Sequence, residues 1–244
     1  MYKITTLSLV ALILSPLSLW AQQRVFDGLV DPFREVTLSS PVQSFIEEHF
    51  VREGDHVEAG QLLSRLFLRI EQLEVERSRG LIEKREFDFR GSQNLFADRL
   101  ISEDEALAAR IELDLARLQL EIAEENVRLR EIRSPIDGII VERLVEDGET
   151  VTATEPIFVV VNIEQVYVQF YIRAEDLRHI RVGQDAQVRF PELDLDGELT
   201  GIVDFIDPRV DAASGLLRVR VLVDNPEHRV KAGVRAVVTL SSTN

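Results

Sequence analysis

The 244-residue chain contains no cysteine, which excludes disulfides, thiolate metal sites and cysteine nucleophiles. Its one methionine is Met1, so the body of the chain offers no thioether ligand for a soft metal. His49, His56, His179 and His228 are its only histidines, and no two share the spacing that sets a pair of zinc ligands on one helix face. A glycine-rich phosphate loop and a nucleophile elbow are both missing, and a catalyst is not expected. Lysine and arginine (28) are outnumbered by aspartate and glutamate (43), for a net charge of −15. That balance repels phosphate backbones and anionic lipid, so nucleic acid is not expected as a partner. A long apolar run occurs only at the start, from Leu7 to Trp20 after Lys3. This is the layout of a secretory signal peptide over residues 1–21, or of an uncleaved anchor, and either places the body outside the cytoplasm.

Proline is also absent from about Phe67 to Glu131, where glycine occurs only at Gly80 and Gly91. Charged residues there alternate with leucine, isoleucine and alanine at helical spacing. A break is expected near Asp98 to Ser102, because Ser102 followed by Glu105 makes a capping box for a second helix. In the second arm, Leu107, Ile111, Leu115, Leu118, Ile122 and Leu129 form one stripe, read here as the face packed on the first arm. Leu113, Ala116, Leu120, Ala123 and Val127 form another on nearly the opposite side, with heptad spacing. It is read as a surface for a neighbouring hairpin or for the helices of a tunnel protein, with Leu113, Leu120 and Val127 as the hairpin-packing residues. The first arm keeps a stripe at Ile70, Leu73 and Leu81, interrupted by Arg77 and Lys84, and Gly80 predicts a bend.

The helical segment is flanked by one stretch written twice at a constant offset. Ser40-Pro41-Val42 onward matches Ser134-Pro135-Ile136 onward, with identities at Ile46/Ile140, Glu48/Glu142, Val51/Val145, Gly54/Gly148 and Val57/Val151. Such a duplication outranks every other signal. Each copy reads as short apolar strands, opened by Pro41 or Pro135 and turned at Gly54 or Gly148, with Gly138 a further turn glycine. One copy has too few strands to cover its apolar face, so the two are expected to pack on each other. Ahead of them, Val25 to Leu38 reads as extended chain broken at Gly28 and Asp31-Pro32. Behind them, Val166, Val168, Phe170 and Ile172 share one side of a strand, as do Leu217, Val219, Val221 and Val223, which fits a small barrel. Arg173 to Ile180 reads as a short helix and Asp196-Gly197 as a hairpin turn.

Taken together, these features resemble the periplasmic adaptor, or membrane fusion protein, family of HlyD-like and RND efflux adaptors. The C-terminal part follows the family pattern at Gly201, Ile206-Asp207-Pro208, Asp211, Asn225-Pro226 and Lys231-Ala232-Gly233-Val234. The resemblance implies an elongated, multi-module α+β fold: a split biotinyl/lipoyl-like β domain with an inserted antiparallel α-helical hairpin, then a small β-barrel. The expected segments are 22–38 as leading barrel strand, 39–66 and 132–164 as the lipoyl halves, 67–131 as the hairpin and 165–244 as the barrel. A membrane-proximal domain is expected to be reduced or absent. The implied protein is a non-enzymatic subunit in the periplasm of a Gram-negative bacterium, associated with the inner membrane. It would link an inner-membrane RND-type transporter to an outer-membrane TolC-like channel and self-associate into a ring. An ABC-type exporter or a type I secretion system would use the same architecture. A lipoyl-fold carrier would share the β domain, but carriers place their lysine at the tip of a short β-hairpin, whereas the lysine of the inserted segment, Lys84, lies within an arm, so no cofactor is expected. Adaptors that dock on such channels tend to show arginine, leucine four residues on and serine seven further; here Leu95 and Ser102 fit, Gly91 replaces the arginine, and Arg90 and Arg99 lie nearby.

Overall fold

The computed structural model describes residues 23–193 and 197–241; the expected signal segment and Asp196 of the expected turn lie outside them. The strands are β1 (Gln23–Ser39), β2 (Ser44–His49), β3 (His56–Val57), β4 (Leu62–Leu66), β5 (Glu131–Arg133), β6 (Gly138–Arg143), β7 (Thr150–Val151), β8 (Pro156–Arg173), β9 (Asp185–Arg189), β10 (Leu199–Ile206), β11 (Leu216–Asp224) and β12 (Arg235–Ser241). Two helices, α1 (Arg69–Ala97) and α2 (Glu103–Arg128), fall between β4 and β5, and a 3-10 turn spans Ala174–His179. The chain folds into two units. Of the described residues, one takes 31–166 and 224–232, the other 23–30, 167–223 and 233–241.

In the first unit the duplicated halves pack on each other by exchange of bonds. The Gly54 amide donates to the Ile140 carbonyl at 2.8 Å, and the Gly148 amide to Ile46 at 2.9 Å. Ser40 donates to Glu155 and Ser134 to Gln61, and Gly60 donates to Ser134 as Thr154 does to Ser40. Strand pairing repeats the exchange: β2 meets β7 with Ser44 opposite Val151, and β6 meets β3 with Gly138 opposite Val57. Each half thus completes the other, because neither alone has enough strands to satisfy its backbone. Ile46, Val51, Val57 and Leu63 from one copy and Ile140, Val145, Val151 and Ile157 from the other form a single buried core.

Some local expectations need correction. Pro41 and Pro135 lie three residues ahead of β2 and β6, in bends closed by the preceding serine hydroxyl, rather than at the first strand residue. There the Ser134 Oγ donates to the Ile136 carbonyl at 2.6 Å, and Ser40 does the same to Val42. Gly54 and Gly148 do turn the chain at φ of +89° and +85°. Gly138 is not a turn residue: it opens β6, and a Cβ there would sit 2.6 Å from the Val161 carbonyl oxygen. β1 runs unbroken through Gly28 and Asp31-Pro32, and α1 is continuous through Gly80.

The second unit is a closed barrel with strand order β1-β12-β9-β10-β11-β8, closed by β1 pairing with β8. Its interior follows the alternation expected from the sequence: Val168, Phe170 and Ile172 on β8 and Leu217, Val219, Val221 and Val223 on β11 are all buried. Outside, the Arg220 guanidinium lies 4.4 Å above the Tyr167 ring.

Candidate functional site

The helical hairpin shows a row of large apolar side chains to solvent along α2. Its turn is built from backbone geometry. Ser102 caps α2: its Oγ accepts the Glu105 amide at 3.3 Å, and the Glu105 carboxylate accepts the Ser102 amide at 2.9 Å. That reciprocal bond also holds the Glu105 carboxyl below the usual carboxylate range. At the end of α1 the Leu100 amide reaches back to the Leu95 carbonyl at 2.8 Å and the Arg99 amide to Phe96 at 2.9 Å. Arg99 takes φ of +59°, the left-handed residue that such a helix ending requires. Leu95, Phe96 and Leu100 are exposed around this turn, and Arg90 sits one turn back, donating to the Glu86 carbonyl at 3.3 Å. Leu95, Arg99 and Ser102 are therefore brought together at one tip, each with a role in closing it, while Arg90 stands on the α1 shaft.

The two stripes of α2 exchange the roles expected for them. Leu113, Ala116 and Ala123 are buried at 2–3% exposure, whereas Leu107, Ile111, Leu115, Leu118 and Ile122 are 49–63% exposed. Leu120 and Val127 are half-buried on the same side of α2 as the buried Leu113, so the stripe read as a surface for a neighbouring hairpin lies on the seam against α1. On α1 the seam runs through the buried Val75 and Ser78. Ile70 and Leu73 of the expected α1 stripe are exposed.

The physical cause is size and pairing, not hydrophobicity. Alanine at 116 and 123 lets the helix axes approach, and the Leu113 face turns charged neighbours toward partners on α1. Arg85 meets Glu112 at 2.5 Å, Arg79 meets Glu124 at 3.2 Å and Glu86 meets Arg117 at 3.3 Å. Each such exposed pair contributes only about 0–1 kcal/mol, but all three favour the same rotation of α2. The base fixes that rotation further, since the Arg130 guanidinium donates to Ser44 Oγ and the Phe67 carbonyl, both at 3.1 Å, and lies 2.6 Å from Glu71. A reading of apolar period misses this; the alanines and the cross-hairpin charge matches were the available signal.

The outward row from Leu107 to Ile122 extends roughly 22 Å at 1.5 Å per residue. The outward side of α1 differs in kind. It carries Arg77 and Lys84 between Leu73 and Phe87, with Gly80 and Gly91, where an added Cβ would meet nothing within 4 Å. Asp114, Glu121 and Glu125 flank the α2 row and are exposed. Both sides carry mixed charge: Asp114 pairs with Arg110 and Arg117, Glu125 with Arg128, and Arg77 with Glu74, so the two sides differ in shape, an apolar row against a face notched at its glycines. Among the described residues no three histidine, aspartate or glutamate side chains are grouped to hold a metal ion, and no helix is long and apolar enough to cross a membrane.

A split β unit carrying such a hairpin, followed in sequence by a barrel, is the architecture of an adaptor-type membrane fusion protein. The family of RND membrane fusion protein barrel-sandwich hybrid domains matches residues 34–163, and the CusB-like β-barrel domain matches residues 165–244. The chain belongs to the RND membrane fusion protein family. It is 28% identical to the nodulation protein NolF of Rhizobium meliloti over 85% of its own length and 60% of that protein's. It is 23% identical to the cobalt-zinc-cadmium resistance protein CzcB of Cupriavidus metallidurans over 76% of its length and 38% of that protein's. The chain therefore spans less than two thirds of these relatives. A MacA-MexA chimeric protein containing the Pseudomonas aeruginosa MexA α-hairpin domain shares the fold, with a TM-score of 0.81 at 21% identity over 91% of this chain and 82% of that one.

Proposed function

We propose that the protein is a non-enzymatic periplasmic adaptor subunit that links an inner-membrane RND-type transporter to an outer-membrane channel. The observation that carries this reading is the hairpin with an apolar row left over after its own seam is closed. Each leucine or isoleucine of the row adds about 1.5–3 kcal/mol when fully buried, which is reason enough for a partner. In this reading the α2 row of one copy packs on the α1 side of the next, with leucines seated over Gly80 and Gly91. That contact is head-to-tail, so repetition of it closes into a ring when the rotation allows. The Leu95, Arg99 and Ser102 tip would meet a TolC-like channel, and the barrel the transporter.

Photoreactive residues at Leu95, Leu118 and Arg218 test the three contacts in cells. Capture of an outer-membrane channel, a second copy and an inner-membrane transporter, respectively, is the expected result. Recovery of an uncrosslinked chain from all three positions would remove the adaptor reading. Leu118→Glu is expected to leave the monomer folded and abolish self-association in sedimentation, whereas Leu120→Glu, on the seam, unfolds the hairpin.

A further inference from the structure

We propose that His49 is a proton-operated clasp between the two duplicated halves, closed when the imidazole is neutral and opened when it takes a proton. His49 ends β2, and its side chain is 2% exposed. Its Nε2 lies 2.9 Å from the Val145 carbonyl oxygen; a carbonyl only accepts, so Nε2 carries the hydrogen. Nδ1 is buried with no hydrogen-bond partner, and the ring stands edge-on to Phe158, with centroids 5.2 Å apart. The His49 amide adds a second tie to the other half, donating to the Asp147 carboxylate at 3.0 Å. A second proton has only Nδ1 to go to, and there no acceptor of the chain is within hydrogen-bond reach.

The surrounding charges do not offset this. Asp147 is 3.8 Å from Nε2 but more than half exposed, so solvent screens it. Glu146 is likewise exposed, and Arg143 opposes a second positive charge. Burial accordingly holds the imidazole below its ordinary value of 6.5, outweighing the Val145 bond and the Asp147 charge that raise it. Above that value both folded and unfolded chains are neutral at this site and the clasp contributes fully. As pH falls the unfolded or opened form binds the proton first, and the closed form loses stability.

The duplication supplies an internal control. The residue matching His49 in the second copy is Arg143, whose amide donates to Glu53 at 2.9 Å as the His49 amide does to Asp147. Arginine keeps its charge throughout the range, so acid should open one clasp of the pair and leave its twin shut. Amide hydrogen exchange, corrected for the intrinsic effect of pH, would be followed at both positions at about pH 7.5 and about pH 5. The open population at the His49 amide is expected to rise about tenfold or more in acid, with that at Arg143 unchanged. In His49→Gln, which keeps a donor for Val145 and cannot titrate, the two amides should respond alike. Equal responses at the two amides in the unmodified protein, or an unchanged difference in His49→Gln, would overturn the proposal. The first of these comparisons needs no variant to fold.

Discussion

The duplicated β unit and the hairpin inserted into it use opposite rules for choosing an inside. In the β unit the largest apolar residues are the most buried: Ile46, Leu63, Ile140 and Ile157 are all at 0% exposure. In the hairpin the most buried α2 positions include two alanines, while five large aliphatics face out. The difference follows from what each must satisfy. Paired half-sheets have to cover a shared face, and bulk serves that. Two long helices without a sheet to lie on can approach closely only where side chains are small, and they select the rotation that also matches their charges.

The largest test of this contrast is truncation. Ile46→Ala and Ile140→Ala should each destabilise the β unit by about 2–5 kcal/mol, and by similar amounts because they occupy matched positions. Leu115→Ala on the outward row should stay within about 0.5 kcal/mol for the monomer. Urea unfolding measures all three, and a large loss at Leu115 would show that the row is not outward. Enlargement is the next test: Ala116→Phe should cost about 1–3 kcal/mol by forcing the helices apart, with α2 losing helicity by circular dichroism. The smallest effect sharpens the symmetry of the halves themselves. Gly60 and Thr154 are matched positions at φ of +85° and +74°, a conformation that costs a β-branched residue about 1–2 kcal/mol. Thr154→Gly should therefore raise the melting temperature, by a net stabilisation of about 0.5–1 kcal/mol after glycine's added freedom in the unfolded chain.

Much of this was legible from residues alone. The constant offset between Ser40 and Ser134 announced two halves, and strand alternation around Phe170 and Val221 announced the barrel. Ser102 with Glu105 marked where α2 begins. The tip was legible in part, since Ser102 stood out as a cap and Leu95 with it through the resemblance to channel-docking adaptors, but Arg99 was noticed for its charge and not for its left-handed backbone. The hairpin faces were misread because period locates stripes without ranking them, and on α1 the true seam includes Ser78 beside Val75, which no hydrophobic pattern selects.

By itself, the sequence decided the order of modules, the existence and handover points of the two helices, and the pairing of the halves, because each depends on local propensity or on repetition within the chain. Only the tertiary structure decided which stripe of α2 is inside, how each half donates its bonds to the other, and that His49 is sealed beside Phe158 with a bare Nδ1. These depend on distances between residues far apart in the chain, where the difference in size between alanine and leucine or one unmatched nitrogen changes which contact is made.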